Sequence, residues 1–181
     1  MWILGSSIVH WAEKCQHLEE LTKRYATSDG QIKWLGKPGA GLNDFHQLFS
    51  EAQSKFQPPR AVIIHLGGND ICHLSVVDIF NKIHGVQCSI RQVYPDAQIL
   101  YSEIIYRLSY RYANNWGAAD RARRRINTKV HALMPGRVVS HRDFQQTPDG
   151  LISSDGVHLT DCGNWVFLDS LFNILSARQI I

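Results

Sequence analysis

The chain has 181 residues, of which 44% are hydrophobic and 19% are charged, and its formal net charge is +3. This composition is typical of one soluble globular domain that is long enough to bury a full core. No apolar run approaches the roughly 20 residues of a membrane-spanning helix, and residues 2–4 are too short for the core of a secretory signal. The weak positive charge permits nearby nucleic acid or anionic lipid but does not argue for either.

The four cysteines are scattered, without a C-x-x-C pair, and the chain contains no N-x-[ST] sequon. Such cysteines predict reduced thiols in a reducing compartment, and we therefore expect a cytoplasmic protein. Because the first residues already belong to a predicted strand, we expect residues 1–181 to be a single domain excised from a longer protein.

Apolar runs alternate with helical patterns along the chain. The runs predict five buried strands, at residues 2–5, 31–36, 61–68, 97–105 and 136–140. Apolar residues at three- and four-residue spacing predict helices over 8–21, 42–56, 76–93, 119–133 and 165–175. This alternation predicts an α/β fold, with a parallel sheet covered by helices on both faces.

Two details of the helices are specific enough to test. The first helix has a predicted inner face formed by Ile8, Trp11, Cys15, Leu18 and Leu21. Ser75, followed three residues later by Asp78, resembles a capping box and predicts where the third helix begins.

Two predicted connections are long, at residues 106–117 and 141–160, and connections of that length in a compact domain are usually functional. In an open parallel sheet the ligand site lies beyond the carboxyl ends of the strands. Four polar pieces lie at or beyond such ends: Gly5-Ser6-Ser7, Gly36-Lys37-Pro38-Gly39-Ala40-Gly41, Gly67-Gly68-Asn69-Asp70 and Asp155-Gly156-Val157-His158.

Together these pieces contain what acyl transfer requires: a nucleophile, a base, a group that orients the base, and donors for the oxyanion. Ser7 at a strand-to-helix turn presents its hydroxyl at the positive end of a helix. A glycine N–H after the second strand and the Asn69 amide are candidate oxyanion donors. His158 can act as the base, with Asp155 fixing its tautomer.

Each residue alone has an ordinary structural explanation. Ser7 can cap a helix, the glycines can form a loose turn, and Asn69 can be a turn residue that tolerates left-handed backbone. A phosphate-binding turn at Gly5-Ser6-Ser7 is a further alternative, but it leaves Asp155 and His158 without a role. The four pieces taken in order favour the nucleophile.

In this order the four pieces resemble the four sequence blocks of the SGNH (GDSL-type) hydrolases, over nearly the whole chain. The resemblance implies a three-layer α/β/α, flavodoxin-like fold and a serine esterase that uses no cofactor and no metal. It implies a triad of Ser7, His158 and Asp155. It also implies an oxyanion hole of the Ser7 N–H, Gly39 and Asn69, with Gly41 as the alternative to Gly39.

Within the family the chain is most similar to platelet-activating-factor acetylhydrolase-type esterases. The phrases HLGGNDI and SDGVHLTDCGN further resemble the esterase domain in the first-open-reading-frame proteins of non-LTR retrotransposons. One position departs from the family pattern, since Ser6 stands where the family has an aspartate that braces the turn. We expect the Ser6 hydroxyl to cap the helix instead.

Three other groups of residues attract attention. His65, Asp70, Cys72 and His73 suggest a metal site, but no tetrahedral ligand spacing is completed, and we expect none. The basic run of Arg121, Arg123, Arg124, Arg125 and Lys129 favours a mostly solvated helix face, with nucleic acid or anionic lipid as the alternative. The aromatic loop, residues 106–116, is rich in bulky side chains, of which Tyr106, Tyr110 and Trp116 are candidate substrate contacts.

These patterns predict an esterase for short acyl groups, of the acetyl type, with lipid esters as the natural class implied by the resemblance. The alternative is a catalytically weak hydrolase-fold module that binds lipid or nucleic acid within a retrotransposon protein. The aromatic loop and the basic run are the surfaces that would contact a membrane or a nucleic acid. The sequence does not predict an oligomeric state.

Overall fold

The computed structural model describes residues 1–25 and 32–181, which form a five-stranded parallel sheet between two layers of helices. The strand order is β2-β1-β3-β4-β5. The strands are β1 (Trp2–Gly5), β2 (Lys33–Gly36), β3 (Ala61–His65), β4 (Gln98–Ser102) and β5 (Val138–Val139).

One helix follows each of the three middle strands in the sequence, and two helices follow each of β1 and β5. The helices are α1 (Ser7–Glu13), α2 (Leu18–Arg24), α3 (Phe45–Lys55), α4 (Val76–Val93), α5 (Trp116–Leu133), α6 (Asp143–Gln146) and α7 (Asp161–Ala177), with a 3-10 turn at Leu42–Asp44 before α3. Of these described helices, none is long and apolar enough to cross a membrane. The predicted fold class, a three-layer α/β/α arrangement around five parallel strands, is confirmed.

Alternating side chains of the strands separate the core into two layers, because successive residues of a strand point to opposite faces. Trp2 and Leu4 of β1 pack with residues of α3, α4 and α5 on one face. Ile3 between them packs with residues of α1, α2 and α7 on the other face. Each strand of the sheet centre is therefore buried on both sides, which explains its continuous apolar run.

The predicted helix over 8–21 is wrong in two respects. The chain forms two short helices, and the N–H groups of Lys14 and Cys15 bond only three residues back, which ends α1. Trp11 is 49% exposed and lies under the Lys14 ammonium, whereas Val9 is fully buried. Val9 takes the inner position because its side chain packs against the backbone of Gly5, where a Cβ would lie 2.3 Å from Val9 Cγ2.

The other elements agree with the predicted pattern apart from their ends. β1 has its predicted bounds, and the other four strands are shorter than the predicted runs, because pairing stops where each chain segment leaves the sheet. Residue Gln31 of the predicted second strand lies outside the described residues. Ser75 caps α4 as predicted, since its hydroxyl accepts the Asp78 N–H at 3.1 Å.

All five strands run in one direction, so their carboxyl ends lie along a single edge of the sheet. The chain passes from β1 outward to β2 and then returns across β1 to β3, which makes β1 and β3 the point where the strand order reverses. Crevices at such a point are the usual binding sites of open parallel sheets. The candidate site lies at this edge.

Candidate active site

The turn that carries Ser7 is held by backbone hydrogen bonds to both neighbouring strands. The Lys37 N–H donates to the Gly5 carbonyl at 3.0 Å, and the Ser6 N–H donates to the His65 carbonyl at 3.3 Å. Ser7 is the first residue of α1, where an N–H has no intrahelical acceptor. The Ser7 hydroxyl is thus placed on a fixed turn.

The Ser6 hydroxyl does not cap α1, contrary to the expectation from its position. Ser6 occupies the cap position with extended backbone, but its side chain makes no capping hydrogen bond. It is buried and borders a cavity of about 10 Å³ shared with His65 and Arg107. The turn is therefore stabilised by its backbone bonds rather than by this hydroxyl.

Ser7, His158 and Asp155 form one hydrogen-bonded chain, although Ser7 and Asp155 are 148 positions apart in the sequence. The distance from Ser7 Oγ to His158 Nε2 is 3.1 Å, and that from His158 Nδ1 to Asp155 Oδ2 is 2.5 Å. A carboxylate can only accept, so Nδ1 carries the proton and the Nε2 lone pair faces the Ser7 hydroxyl. The three residues are in the relative positions of a nucleophile, its base and the group that orients the base.

The other oxygen of Asp155 anchors the loop. Asp155 Oδ1 accepts the N–H groups of Val157 and His158, each at 2.9 Å, and the Ser153 hydroxyl at 2.8 Å. Partial desolvation raises the pKa of Asp155, but these hydrogen bonds and that of the imidazole outweigh it and lower the pKa well below its usual range. These contacts favour the ionised form of Asp155, which is the form that accepts the Nδ1–H of His158.

The glycine-rich loop after β2 is positioned by two carboxylates. Asp44 accepts the Gly41 N–H at 2.9 Å, and Asp70 accepts the Leu42 N–H with both oxygens at 3.0 and 3.1 Å. A Cβ on Gly41 would lie 2.9 Å from Asp70 Oδ1, so Gly41 faces this carboxylate. Gly39, with φ of +76°, borders the same cavity as Ser7.

Asn69 is held from both sides of its amide. Its Nδ2 donates to the Ala40 carbonyl at 2.9 Å, and its Oδ1 accepts from Arg107 Nη2 at 3.1 Å. These two contacts determine which end of the amide is nitrogen. The second N–H of the amide is left for a ligand. Among the described residues, the backbone N–H groups of Ser7 and Gly39 also have no acceptor.

A cavity of about 690 Å³ joins these groups. Ser7, Gly39, Asn69, Asp155 and His158 all border it. Further lining comes from the loop after β3 and from the aromatic loop, through Gly68, Ile71, Cys72, His73, Arg107, Ser109, Tyr110, Arg111 and Tyr112. The five residues proposed from sequence as machinery are therefore brought together at one concave surface.

Of the three residues of the aromatic loop that were expected to contact substrate, one borders the cavity. Tyr110 borders the cavity, but Tyr106 and Trp116 do not. Those two rings pack edge to face against each other, with centroids 5.8 Å apart, and the Trp116 indole N–H donates to the Arg107 carbonyl at 3.1 Å. They support the backbone of the loop from outside the cavity.

Gly156 ties the aromatic loop to the loop of Asp155 and His158. Its carbonyl accepts the N–H groups of Leu108 and Ser109 at 2.9 and 3.1 Å. Its φ is +73°, and a Cβ would lie 2.8 Å from that of Ser109. Only glycine allows the two loops to approach this closely.

The basic run divides between surface and interior. Arg121, Arg124, Arg125 and Lys129 are exposed, but Arg123 is 4% exposed and pairs with Asp120 at 2.8 Å. Arg123 also donates to the Ile104 carbonyl. It therefore anchors the start of the loop that follows β4.

The four residues considered for a metal have separate partners. His65 bonds Ser102, and Asp70 bonds the glycine-rich loop, while Cys72 and His73 border the cavity. Within residues 1–25 and 32–181, no cluster of three His, Cys, Asp or Glu side chains suited to a metal ion occurs.

Two features were not assigned from sequence. Arg107 contacts Asn69 in the cavity. Its position in the sequence, just beyond the predicted strand 97–105, is the feature that indicates it. Hydrogen bonds also join the buried side chains of His65, Ser102 and His141. His65 and Ser102 are polar residues inside predicted apolar strands, and this position is the feature that indicates them.

The fold is shared with several solved structures. A lipolytic protein of the G-D-S-L family from Veillonella parvula is 11% identical with a TM-score of 0.75, covering 97% of each chain. A carbohydrate esterase of family 3 from Talaromyces cellulolyticus is 16% identical with a TM-score of 0.74, covering 99% of this chain and 98% of that one. A lipase/acylhydrolase from Enterococcus faecalis is 16% identical with a TM-score of 0.72, covering 98% and 95%.

No protein-family model and no curated protein matches the chain. The structural neighbours are esterases and lipases, including GDSL-type proteins, and at these identities their likeness establishes the fold. The chain has the α/β SGNH hydrolase fold.

Proposed function

We propose that this protein is a serine ester hydrolase in which Ser7 is the nucleophile. The observation that carries the proposal is the chain from Ser7 Oγ through His158 to Asp155, at 3.1 and 2.5 Å, on a cavity that also holds unused N–H donors. The fold shared with esterases and lipases supports the same reaction class.

In the first half of the reaction, Ser7 Oγ attacks the ester carbonyl while His158 Nε2 takes the hydroxyl proton. The new C–O bond places negative charge on the former carbonyl oxygen. The N–H groups of Ser7 and Gly39 and the free N–H of Asn69 are the proposed donors to this oxyanion. Asp155 stabilises the imidazolium without itself being protonated.

The tetrahedral intermediate then breaks the bond to the alcohol, which leaves with the proton from His158 Nε2. Water enters, gives a proton to the same nitrogen and attacks the acyl-serine. Collapse of this second intermediate releases the carboxylic acid and returns the proton to Ser7. Every proton passes through His158 Nε2, so this one histidine acts in both the acylation and the deacylation of Ser7.

The substrate class, the biological context and the location are the further parts of the proposal. Short acyl groups of the acetyl type follow from the lack of a long dedicated lid segment in the sequence, and lipid esters follow from the resemblance to acetylhydrolase-type esterases. A place within a retrotransposon first-open-reading-frame protein follows from the resemblance of the HLGGNDI and SDGVHLTDCGN segments, and a cytoplasmic location follows from the scattered cysteines and the absence of a sequon. None of the reaction steps above uses a cofactor.

The test is hydrolysis of p-nitrophenyl acetate, butyrate and octanoate by the wild type, Ser7→Ala and Ser50→Ala. Ser50 is exposed on α3, away from the cavity, and serves as the matched serine control. We expect acetate to be the best substrate, Ser7→Ala to lose at least about 1,000-fold in kcat, and Ser50→Ala to match the wild type. Asn69→Ala should lose about 100- to 1,000-fold.

Covalent labelling distinguishes an esterase with slow turnover from a protein with no esterase activity. A fluorophosphonate should add one phosphonyl group to Ser7, located by peptide mass spectrometry, and Ser7→Ala should stay unlabelled. If the wild type is inert and unlabelled, the esterase proposal fails. That result would favour the lipid- or nucleic-acid-binding alternative, for which the exposed side chains of Leu108, Tyr112 and Trp116 and the cations of α5 are the available surfaces.

A further inference from the structure

Arg107 brings a positive charge into the cavity without a matching carboxylate. Its guanidinium is partly buried, and its side-chain contact is the neutral Asn69 amide, at 3.1 Å. In the part of the chain that the structure describes, no carboxylate lies within ion-pairing distance of Arg107. Asp155 is near enough to act on the Arg107 charge but is not hydrogen-bonded to it, so the guanidinium keeps N–H donors that face the cavity and that an anion can accept.

The balance of charge over the whole cavity points the same way. A second guanidinium, that of Arg111, borders the cavity and lies beside the Tyr112 ring. The carboxylate that borders the cavity, Asp155, is already engaged by His158 and by its own loop. A ligand that fills the cavity therefore meets more positive than negative charge.

The position of the Arg107 guanidinium is built into the surrounding backbone. It lies against Gly68, where a Cβ would be 2.7 Å from Nη2. The Arg107 carbonyl is held by the Trp116 indole, and the next two N–H groups are held by the Gly156 carbonyl. This charge is thus presented at a defined place beside Asn69, not on a freely moving surface side chain.

We propose that the natural ester carries an anionic group, a carboxylate or a phosphate, that binds Arg107 while the ester carbonyl lies at Ser7. A guanidinium offers a planar pair of N–H donors that matches the oxygens of either group. Because Arg107 touches Asn69, the anionic group lies within a few bonds of the ester. This inference rests on the proposed esterase function and narrows its substrate class.

The test compares anionic esters with neutral partners of similar size, and each rate is divided by that of the uncatalysed hydrolysis to correct for leaving-group reactivity. For an anion on the alcohol side, 4-acetoxybenzoate is compared with methyl 4-acetoxybenzoate. For an anion on the acyl side, mono-p-nitrophenyl adipate, whose carboxylate is too far from the ester for ready cyclisation to an anhydride, is compared with p-nitrophenyl hexanoate. We expect one anionic ester to exceed its neutral partner about 10- to 100-fold in kcat/KM, the contribution of a charge-assisted hydrogen bond.

Four substitutions test whether Arg107 causes the preference for anionic esters. Arg107→Met should reduce the ratio of anionic to neutral kcat/KM to about one, whereas Arg107→Lys should keep part of it. Gly68→Ala, which displaces the guanidinium without removing it, should lower the same ratio. Arg125→Met removes an exposed guanidinium of α5 outside the cavity and should leave the ratio at its wild-type value.

The inference is overturned if neutral esters are hydrolysed but both ratios stay below about two in the wild type. It is also overturned if the preference survives in a folded Arg107→Met protein. If no ester is hydrolysed, the esterase proposal fails separately, and calorimetric titration with inorganic phosphate decides the anion site. Binding that is lost in Arg107→Met supports the site, and absence of binding to the wild type refutes it.

Discussion

The buried histidines predict that the protein loses stability in mild acid. His65 Nδ1 lies 2.9 Å from Ser102 Oγ, which lies 2.7 Å from His141 Nε2. All three residues are buried, and His141 Nδ1 has no hydrogen-bond partner within the described residues. Burial, with a smaller contribution from Arg107, lowers the pKa of His65 to about 3. Burial, together with His65, also lowers the pKa of His141 well below 6.5.

In the unfolded chain both histidines have ordinary pKa values near 6.5. Between pH 6.5 and the lower folded values, the unfolded state binds protons that the folded state does not. The free energy of unfolding therefore falls as the pH falls through this window. Each histidine accounts for about 2 kcal/mol between pH 7 and pH 5, and the pair for about 4 kcal/mol.

Urea unfolding at pH 7, 6 and 5 measures this loss. His141→Phe is the informative variant, since its ring would join those of Phe144 and Phe167 and removes one titrating group. We expect the wild type to lose about 4 kcal/mol over this range and His141→Phe about 2 kcal/mol. The carboxylates are common to both proteins and cancel in the difference.

His46→Asn is the control, because His46 is exposed on α3. It should show the full wild-type loss. The reasoning is refuted if His141→Phe loses as much stability as the wild type, since His141 would then not be buried in its neutral form. A wild-type loss below about 1 kcal/mol would refute it for both histidines.

Three further substitutions test the support of the site and of the fold. Gly156→Ala places a Cβ 2.8 Å from that of Ser109, so the two loops must separate and kcat/KM for p-nitrophenyl acetate should fall at least about tenfold. Asp120→Ala leaves the buried Arg123 guanidinium unpaired and should cost about 3–5 kcal/mol in urea unfolding. Ser75→Ala removes the cap of α4 and should cost about 1 kcal/mol in the same assay.

Each of these predictions has a matched control. Gly150 also has positive φ but has open space around its Cβ position, so Gly150→Ala should leave kcat/KM unchanged; equal losses would show that strain, not loop contact, matters. Glu51→Ala breaks an exposed ion pair and should leave stability nearly unchanged. Ser89→Ala, within α4, should not destabilise; a loss equal to that of Ser75→Ala would argue against the cap.

The sequence alone determined the layered fold, because strand and helix periodicities are local properties of the chain. A short, β-branched apolar run such as 61–64 is typical of a strand buried on both faces, and strands that alternate with helices run parallel. Parallel strands end at one edge, so the polar pieces after β1, β2 and β3 were bound to meet there. This is why the positions of Ser7, Gly39 and Asn69 along the chain were enough to group them at one site.

Only the tertiary structure decided which of several equivalent side chains faces inward. Three-to-four spacing allows either Trp11 or Val9 on the inner face of α1, and the close approach to Gly5 selects Val9. Arg123 shares a basic run with exposed neighbours, yet it is buried because Asp120 lies within reach. Such choices depend on partners that periodicity does not specify.

The distances within the site likewise depend on the folded chain. Asp155 and His158 are neighbours in sequence, but the 3.1 Å contact of His158 with Ser7 spans almost the whole chain. Arg107 is one arginine among many in the sequence, and it enters the cavity because Gly68 leaves room for it and Gly156 holds its loop. Local patterns determined which residues could take part, and long-range packing decided which of them meet.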